Sequence, residues 1–375
     1  MSTPDRAAPA VVLSAGERAR RLAALREALE QEGFDALVAY ALPDYPGYVI
    51  YLTGYEPIYC DAWCVVTAER VSLVTPTFEF AHTGGSSWLD PADVHRTNEP
   101  VAAIERLLGG ARHVAFAGID FLPTPLGGQL GLLDPASRFA AADVLERVRW
   151  SKSDEEIALI RDASRIIDAG TVAFTEGVRR GAGTEVELTA EIYAAMHRAG
   201  LERVWSEVVL GGGPRAADMT TQPRNVPLVA GELVLFDNAE RHNGYCADVA
   251  RAAVVGGGDP GPEQLRMLET ARAMYDAQHA MLRPGADARA VHELGAEIAA
   301  DAGYVYEHLT GHGIGTDLHE LPAIGRAEVE LTAGMVVAIE PGLYVPGVGG
   351  VRLENVIAIT DDGPVDLTVA PTVLW

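Results

Sequence analysis

The dipeptide Asn243-Gly244 lies between two strand-like runs, 233–236 on one side and the residues from Tyr245 on the other, and it constrains the fold more than any other segment. Asn-Gly is the strongest short-range hairpin signal, because both central residues of a type I′ turn need positive φ. With those two at the centre of the turn, His242 pairs with Tyr245, Ala239 with Asp248, and Asp237 with Ala250. Asp237 and Asp248 then share one face as diagonal neighbours, their Cβ atoms roughly 7 Å apart. Two carboxylates at that span repel unless one takes a proton or both reach for a cation.

More acids follow in strand-like contexts. Glu340 closes the apolar run 335–339 and precedes Pro341-Gly342, and Glu354 lies inside the run 351–359. An acid inside a β-run is costly unless paired, and Arg352, two residues earlier on the same face, is a candidate partner. His312 stands in Thr310-Gly-His-Gly-Ile-Gly315, where glycines allow backbone and ligand to approach closely, and His319-Glu320 come shortly after. Taken singly, each has a plain reading: a strand-end or solvated acid, a salt-bridged Glu354, a loop histidine. As a set, four carboxylates and one imidazole make a hard, oxygen-rich cation site, suited to manganese, iron, cobalt or zinc, and shared carboxylates imply two ions.

A chain of 375 residues is too long for one ordinary core and favours two domains. With 48% apolar and 22% charged residues it has the composition of a folded α/β protein, not of a disordered tail. The formal charge of −24 repels phosphate backbones and anionic membranes, so neither nucleic acid nor membrane is an expected partner. No apolar run is long enough to span a bilayer, and no basic-then-apolar leader opens the sequence. Cys60, Cys64 and Cys246 form no even disulfide framework and fit a reducing cytoplasm.

Residues 1–12, rich in Ala and Pro, read as a loose arm. Leu22, Leu25 and Leu29 recur at helical spacing, Gly33 ends that helix, and 36–40 reads as a buried strand. Strand-like runs at 64–67, 71–74 and 113–116 complete a small α/β domain over 13–150, in which Trp63, Tyr55 and Tyr59 either line a pocket or serve as core. A second domain, 151–375, opens with the capping-box spacing Ser153/Glu156, repeated at Thr184/Glu187. Pro262 starts another helix in its first turn, and a further helix covers 288–303. The result is an α+β domain of helices packed on a mainly antiparallel sheet.

These residues, in this order, resemble the pita-bread metallopeptidase superfamily. The motifs are Asp237 with Gly244-Tyr-Cys-Ala-Asp248-Val-Ala-Arg251, then Gly311-His-Gly-Ile-Gly315 with His319-Glu320-Leu-Pro322, Ile339-Glu340-Pro-Gly342, and Gly350-Val-Arg-Leu-Glu354-Asn355. Lys152-Ser-Asp-Glu-Glu-Ile157 and Tyr51-Leu-Thr-Gly-Tyr55 look like the two-domain prolidase, aminopeptidase P and creatinase branch. The resemblance implies a creatinase-like N-terminal α/β domain, a C-terminal pita-bread domain and a homodimer. It also implies two divalent ions, manganese before cobalt, iron or zinc, with Asp237 on one, Asp248 and Glu354 bridging both, and His312 and Glu340 completing the other. Glu340 would shuttle a proton, His319 would hydrogen-bond the substrate or a developing oxyanion, and Arg352 would orient an acid ligand. The implied activity is hydrolysis of a small amide or Xaa-Pro dipeptide.

Three positions depart from that pattern. The substrate-facing His expected upstream of the first Asp is replaced by Met219-Thr220-Thr221, the hydroxyl residue after the second Asp is Ala250, and Asn238-Ala239 follow Asp237 where a residue and Gly are usual. Asp218 and Arg215 stand near the missing His and, with Thr220, Tyr245 and Arg326, are candidate substrate contacts, a solvated surface Arg being the plain reading of Arg326. The departures keep open a second reading, in which the same scaffold acts on a non-peptide metabolite by creatinase-like C–N hydrolysis or by elimination. A non-catalytic binding protein is a remote third. Cys246, with no basic partner in view, reads as packing.

Overall fold

The computed structural model describes residues 13–79, 87–181, 183–326 and 328–372, so the arm expected over 1–12 lies outside the described residues. The chain divides into two compact units, Met1–Arg149 and Trp150–Trp375. In the first, β1 (Ala36–Ala41), β2 (Ala62–Val66), β3 (Val71–Thr75), β4 (Val94–Arg96), β5 (Val114–Ala117) and β6 (Phe139–Ala141) form one mixed sheet in the order β4-β3-β2-β1-β5-β6. Every residue of β1 is buried, because the strand is covered on both faces. Leu37 and Ala39 pack with Leu25 and Leu29 of the helix Ala15–Gln31, while Val38 and Tyr40 pack with Ile104 and Leu108 of the helix Pro100–Leu108. A strand buried on both sides reads as an unbroken apolar run, which is how it stands in the sequence. The aromatic trio does not line a common pocket: Trp63 packs on Tyr40 with ring centroids 4.5 Å apart, Tyr55 is buried, and Tyr59 is exposed.

In the second unit the helices Asp154–Arg180 and Glu185–Ala199 both start at the capping boxes their sequences announce. β7 (Val209–Gly212), β8 (Leu233–His242) and β9 (Tyr245–Val254) form a three-stranded antiparallel sheet. The β8–β9 register is the one the Asn-Gly turn dictates: His242 opposite Tyr245, Ala239 opposite Asp248, Asp237 opposite Ala250. Asn243 takes φ 49° and Gly244 φ 75°, as a type I′ turn requires. Phe236 stacks on Phe174 of the long helix at 4.8 Å, so Asp237, the next residue, projects from the opposite face of the sheet.

After the helices Pro262–Met281 and Ala288–Asp301 come β10 (Gly311–Gly313), β11 (Glu320–Ile324), β12 (Val336–Ile339), β13 (Gly342–Val345), β14 (Gly349–Arg352), β15 (Asn355–Thr360) and β16 (Gly363–Asp366). They make a five-stranded sheet, β11-β10-β12-β15-β16, and a separate ribbon of β13 and β14, all pairs antiparallel. The run 351–359 is therefore not one strand. β14 belongs to the ribbon and β15 to the larger sheet, and the break falls at Leu353-Glu354, where the Leu353 N–H donates to Pro341 O (3.1 Å) and the Glu354 N–H to Ala250 O (3.0 Å). The two helices cover the larger sheet, Tyr275 and Val291 packing with Val337, Ile339 and Ile357. Among the described residues no helix is long and apolar enough to cross a membrane.

A clamp holds residues 368–371 against the strands. Arg251, fully buried, donates to the carbonyls of Ala250 (2.8 Å), Glu354 (2.5 Å), Ala370 (2.8 Å) and Pro371 (2.8 Å) and to Asn355 Oδ1 (2.8 Å). Asp168 accepts the backbone N–H groups of Val369 (2.8 Å) and Ala370 (2.9 Å). Leaving a buried acceptor unpaired costs about 1–3 kcal/mol. Arg251→Met strands several at once, so urea denaturation should show the C-terminal unit losing about 3 kcal/mol or more, with Asp168→Asn losing less.

Candidate metal centre

The elements that position the site converge from both sheets. Asp237 and Asp248 project from one face of β8 and β9 by their register. Glu354 is brought beside them by its own backbone, which is bonded to Ala250, the residue opposite Asp237. His312 stands at the centre of β10, between β11 and β12. Gly311 precedes it because a Cβ there would lie 1.9 Å from Ala338 O of the neighbouring strand, so only glycine lets β10 sit this close. Glu340 leaves the end of β12, its N–H bonded to Thr310 O at 2.7 Å.

Ligand atoms of Asp248, His312 and Glu354 all lie within 4.8 Å of one another, and so do those of Asp237, Glu340 and Glu354, with Glu354 common to both groups. His312 Nδ1 donates to Gly313 O (2.9 Å), which turns the Nε2 atom toward Asp248 Oδ2 (3.7 Å) and Glu340 Oε1 (3.9 Å). Burial raises the Asp237 pKa to about 6 despite Arg352 beside it, and raises that of Glu340 to about 7. Glu354 is held well above the usual carboxylate range by burial and by the charges of Asp248, Asp237 and Glu340. Burial opposes the imidazolium of His312, but the Asp248 and Glu340 carboxylates outweigh it and raise its pKa. Asp248 Oδ1, His312 Nε2 and both Glu354 carboxylate oxygens are buried with no hydrogen-bond partner. Such atoms are rare in native interiors and call for an explanation. A hard divalent cation supplies it: oxygen-rich donors with one imidazole, already gathered and otherwise unsatisfied, fit the group the sequence implies.

Arg352 makes its closest contact with Asp237, not with Glu354, its acidic neighbour in sequence. Its Nε lies 3.6 Å from Glu340 Oε2 and donates to Tyr344 OH at 2.8 Å. Tyr344 OH in turn meets His308 Nε2 at 3.0 Å, and His308 Nδ1 meets Leu309 O at 2.7 Å. The carbonyl fixes the proton on Nδ1, so Tyr344 donates to Nε2. Burial, then Arg352, drops the His308 pKa to about 4. Sequence reasoning missed both Tyr344 and His308, although His308 stands only four residues before His312. His319 packs edge-on against His312, centroids 4.3 Å apart, and burial lowers its pKa to about 4.

The other candidates fall outside this cluster or at its margin. Tyr245 is fully buried and donates to Glu156 Oε1 (3.0 Å), on the face of β9 away from Asp248. Arg215 is engaged by Glu185 (3.1 Å), Thr221 Oγ1 (3.1 Å) and Gln222 O (2.6 Å). Thr220 donates from its N and Oγ1 to Asp218 Oδ1, both at 3.1 Å, forming an exposed turn whose Met219 carbonyl lies 3.5 Å from Arg352. Arg326 is exposed in the turn after β11. Arg241 does lie beside Cys246, a basic neighbour the sequence did not reveal, yet burial still pushes the thiol up to about 12.

A family model described as Metallopeptidase family M24 matches residues 158–361. The probable dipeptidase PepE of Mycobacterium tuberculosis is 32% identical over 379 residues, covering 94% of this chain and 95% of that one. Among solved structures, the prolidase from Pyrococcus horikoshii aligns with a TM-score of 0.83 at 26% identity, over 95% of this chain and 100% of that one. The dipeptidase PepE from Mycobacterium ulcerans aligns at 0.81 with 29% identity, over 96% and 98%. The fold is thus the prolidase one, a creatinase-like α/β unit followed by a pita-bread unit. A family model covering more than half of the chain and a relative spanning nearly all of it agree with the motifs, and the chain belongs to metallopeptidase family M24.

Proposed function

We propose that this chain is a dinuclear metal-dependent dipeptidase of the Xaa-Pro type, with 151–375 as its catalytic domain and Asp237, Asp248, His312, Glu340 and Glu354 as the metal ligands. The observation that carries the reading is the set of buried, partnerless donor atoms on Asp248, His312 and Glu354, completed by Asp237 and Glu340 through the shared Glu354. Two divalent ions held there, manganese before cobalt, iron or zinc, supply Lewis-acid polarisation of a carbonyl and lower the pKa of a water. Glu340, whose Oε1 lies 3.9 Å from His312 Nε2 among the proposed ligands, is placed to take a proton and return it to a leaving amine. His319, held neutral and packed against His312, offers an N–H to the substrate carbonyl. Arg352, braced by Tyr344, holds the Asp237 carboxylate in place. The relatives reported above are named as peptidases, which favours a peptide over a non-peptide metabolite. We further propose a homodimer in a reducing cytoplasm, the latter because all three cysteines are free.

Two outcomes test this. Protein loaded with manganese should bind about two equivalents by elemental analysis and cleave Xaa-Pro dipeptides, and a chelator should abolish the cleavage. A fully metallated enzyme inert on a broad dipeptide panel would overturn the substrate, and less than one equivalent would overturn the metal site. The second outcome concerns pH. The folded-state pKa values of Asp237 and Glu340 are raised, so their contribution to stability is present below the unfolded values and is lost as pH rises through the folded ones. Metal-free protein should therefore lose thermal stability between about pH 4 and about pH 7. Glu340→Gln should flatten that loss, and added metal at pH 6 should release protons in a calorimeter.

A further inference from the structure

Two motifs quoted from the sequence take no part in the chemistry above, the segment around Lys152 and the Glu320 that follows His319. The fold joins them across 168 residues: Lys152 Nζ donates to Glu320 Oε2 at 2.9 Å, and each side chain is 2% exposed. The other oxygen, Glu320 Oε1, accepts the Asp317 N–H (3.1 Å) and the Thr316 hydroxyl (3.5 Å), closing the turn that leads to His319. This carboxylate lies so close over Gly315 that a Cβ there would be 2.6 Å from Oε1. Gly315 O accepts the Cys246 N–H at 2.8 Å, which ties the same turn to the strand carrying Asp248.

The Lys152 end is equally held. Its N–H donates to Gly334 O (2.7 Å), and Ser153 and Glu156 cap the helix that begins after it. Glu156 also accepts the Tyr245 hydroxyl at 3.0 Å. The start of one helix thus grips both the hairpin of Asp237 and Asp248 and the turn of His319. Burying two opposite charges is a poor route to stability, since their attraction is offset by desolvation and an apolar pair of similar volume serves as well or better. What the pair supplies is direction: a carboxylate bound on both oxygens has one orientation, and the backbone of Glu320 follows it.

We propose that Lys152 is a positioning residue, which acts through Glu320 to fix the turn from Gly315 to Glu320 and so to stand His319 against His312. The proposal rests on the reading of His319 as the substrate's donor.

The test uses the full chain. Hydrogen exchange by mass spectrometry on metal-free protein follows peptides over 314–321 and, as a control, over 233–254, and steady-state kinetics on an Xaa-Pro dipeptide follow the manganese-loaded form. Lys152→Met is expected to speed exchange in 314–321 by roughly tenfold while the control hairpin is unchanged. It should lower kcat by about tenfold or more with KM and bound metal near their original values, and Lys152→Arg should recover most of both. Uniformly faster exchange in both segments, or a lower Tm with exchange over 314–321 and kcat within about twofold of the original, overturns the proposal. Should Lys152→Met fail to fold, the double variant Lys152→Met with Glu320→Gln leaves no unpaired buried charge. A loosened 314–321 segment in it supports the role, and original exchange there overturns it. Exchange is read without metal or substrate, so failure of the dipeptidase reading leaves this outcome separately legible.

Discussion

Mutual repulsion among Asp237, Asp248, Glu340 and Glu354 is the constraint to which the rest of the C-terminal unit answers. Four carboxylates, two of them (Asp248 and Glu354) with oxygens that no hydrogen bond satisfies, do not gather inside a protein on their own account, because burial and like charge both work against ionisation. The scaffold has to impose the gathering through backbone geometry. It does so with a hairpin whose register leaves no freedom, a Gly-His-Gly strand packed too tightly for any other residue before the histidine, and a strand break bonded back to Ala250. Each device works on the main chain, so the side chains are delivered before any favourable contact among them exists. The electrostatic cost is lowered by Arg352 on Asp237 and, in the proposed function, by the ions themselves.

Such a centre is pre-organised at the expense of the fold around it. The rigid parts, the long helix behind β8 and β9 and the clamp made by Arg251 and Asp168, are what a repulsive cluster needs around it to stay assembled. A turn that must offer a histidine to a substrate needs similar restraint, which the buried Lys152–Glu320 pair is placed to give.

How far the sequence could be read follows from the range over which each signal acts. The hairpin was legible because Asn243-Gly244 is a local signal and alternation does the rest, placing Asp237 and Asp248 on one face. Capping boxes at Ser153 and Thr184 were legible for the same reason. The break at Leu353-Glu354 was not, since both flanks are apolar and strand-forming, and only the choice of different partner strands separates β14 from β15. Sequence proximity also misdirected the pairing of Arg352: Glu354 is two residues away, yet the guanidinium crosses to Asp237 on another sheet. The brace of Tyr344 and His308 and the grip of Lys152 on Glu320 are contacts between distant segments, to which no local periodicity points.

The clamp on residues 368–371 has a meaning for the order in which the molecule is made. Arg251 belongs to β9 of the hairpin and bonds to the carbonyl of Glu354, but two of its acceptors, Ala370 and Pro371, are synthesised 119 and 120 residues later. During translation the hairpin can close on its own local turn, while Arg251 keeps the Ala250 carbonyl and water as partners until its distant acceptors are made. The clamp therefore closes only once residues 370 and 371 have been made, so a chain that has not reached them carries Asp237 and Asp248 without the fastening that holds their hairpin to the strands around it.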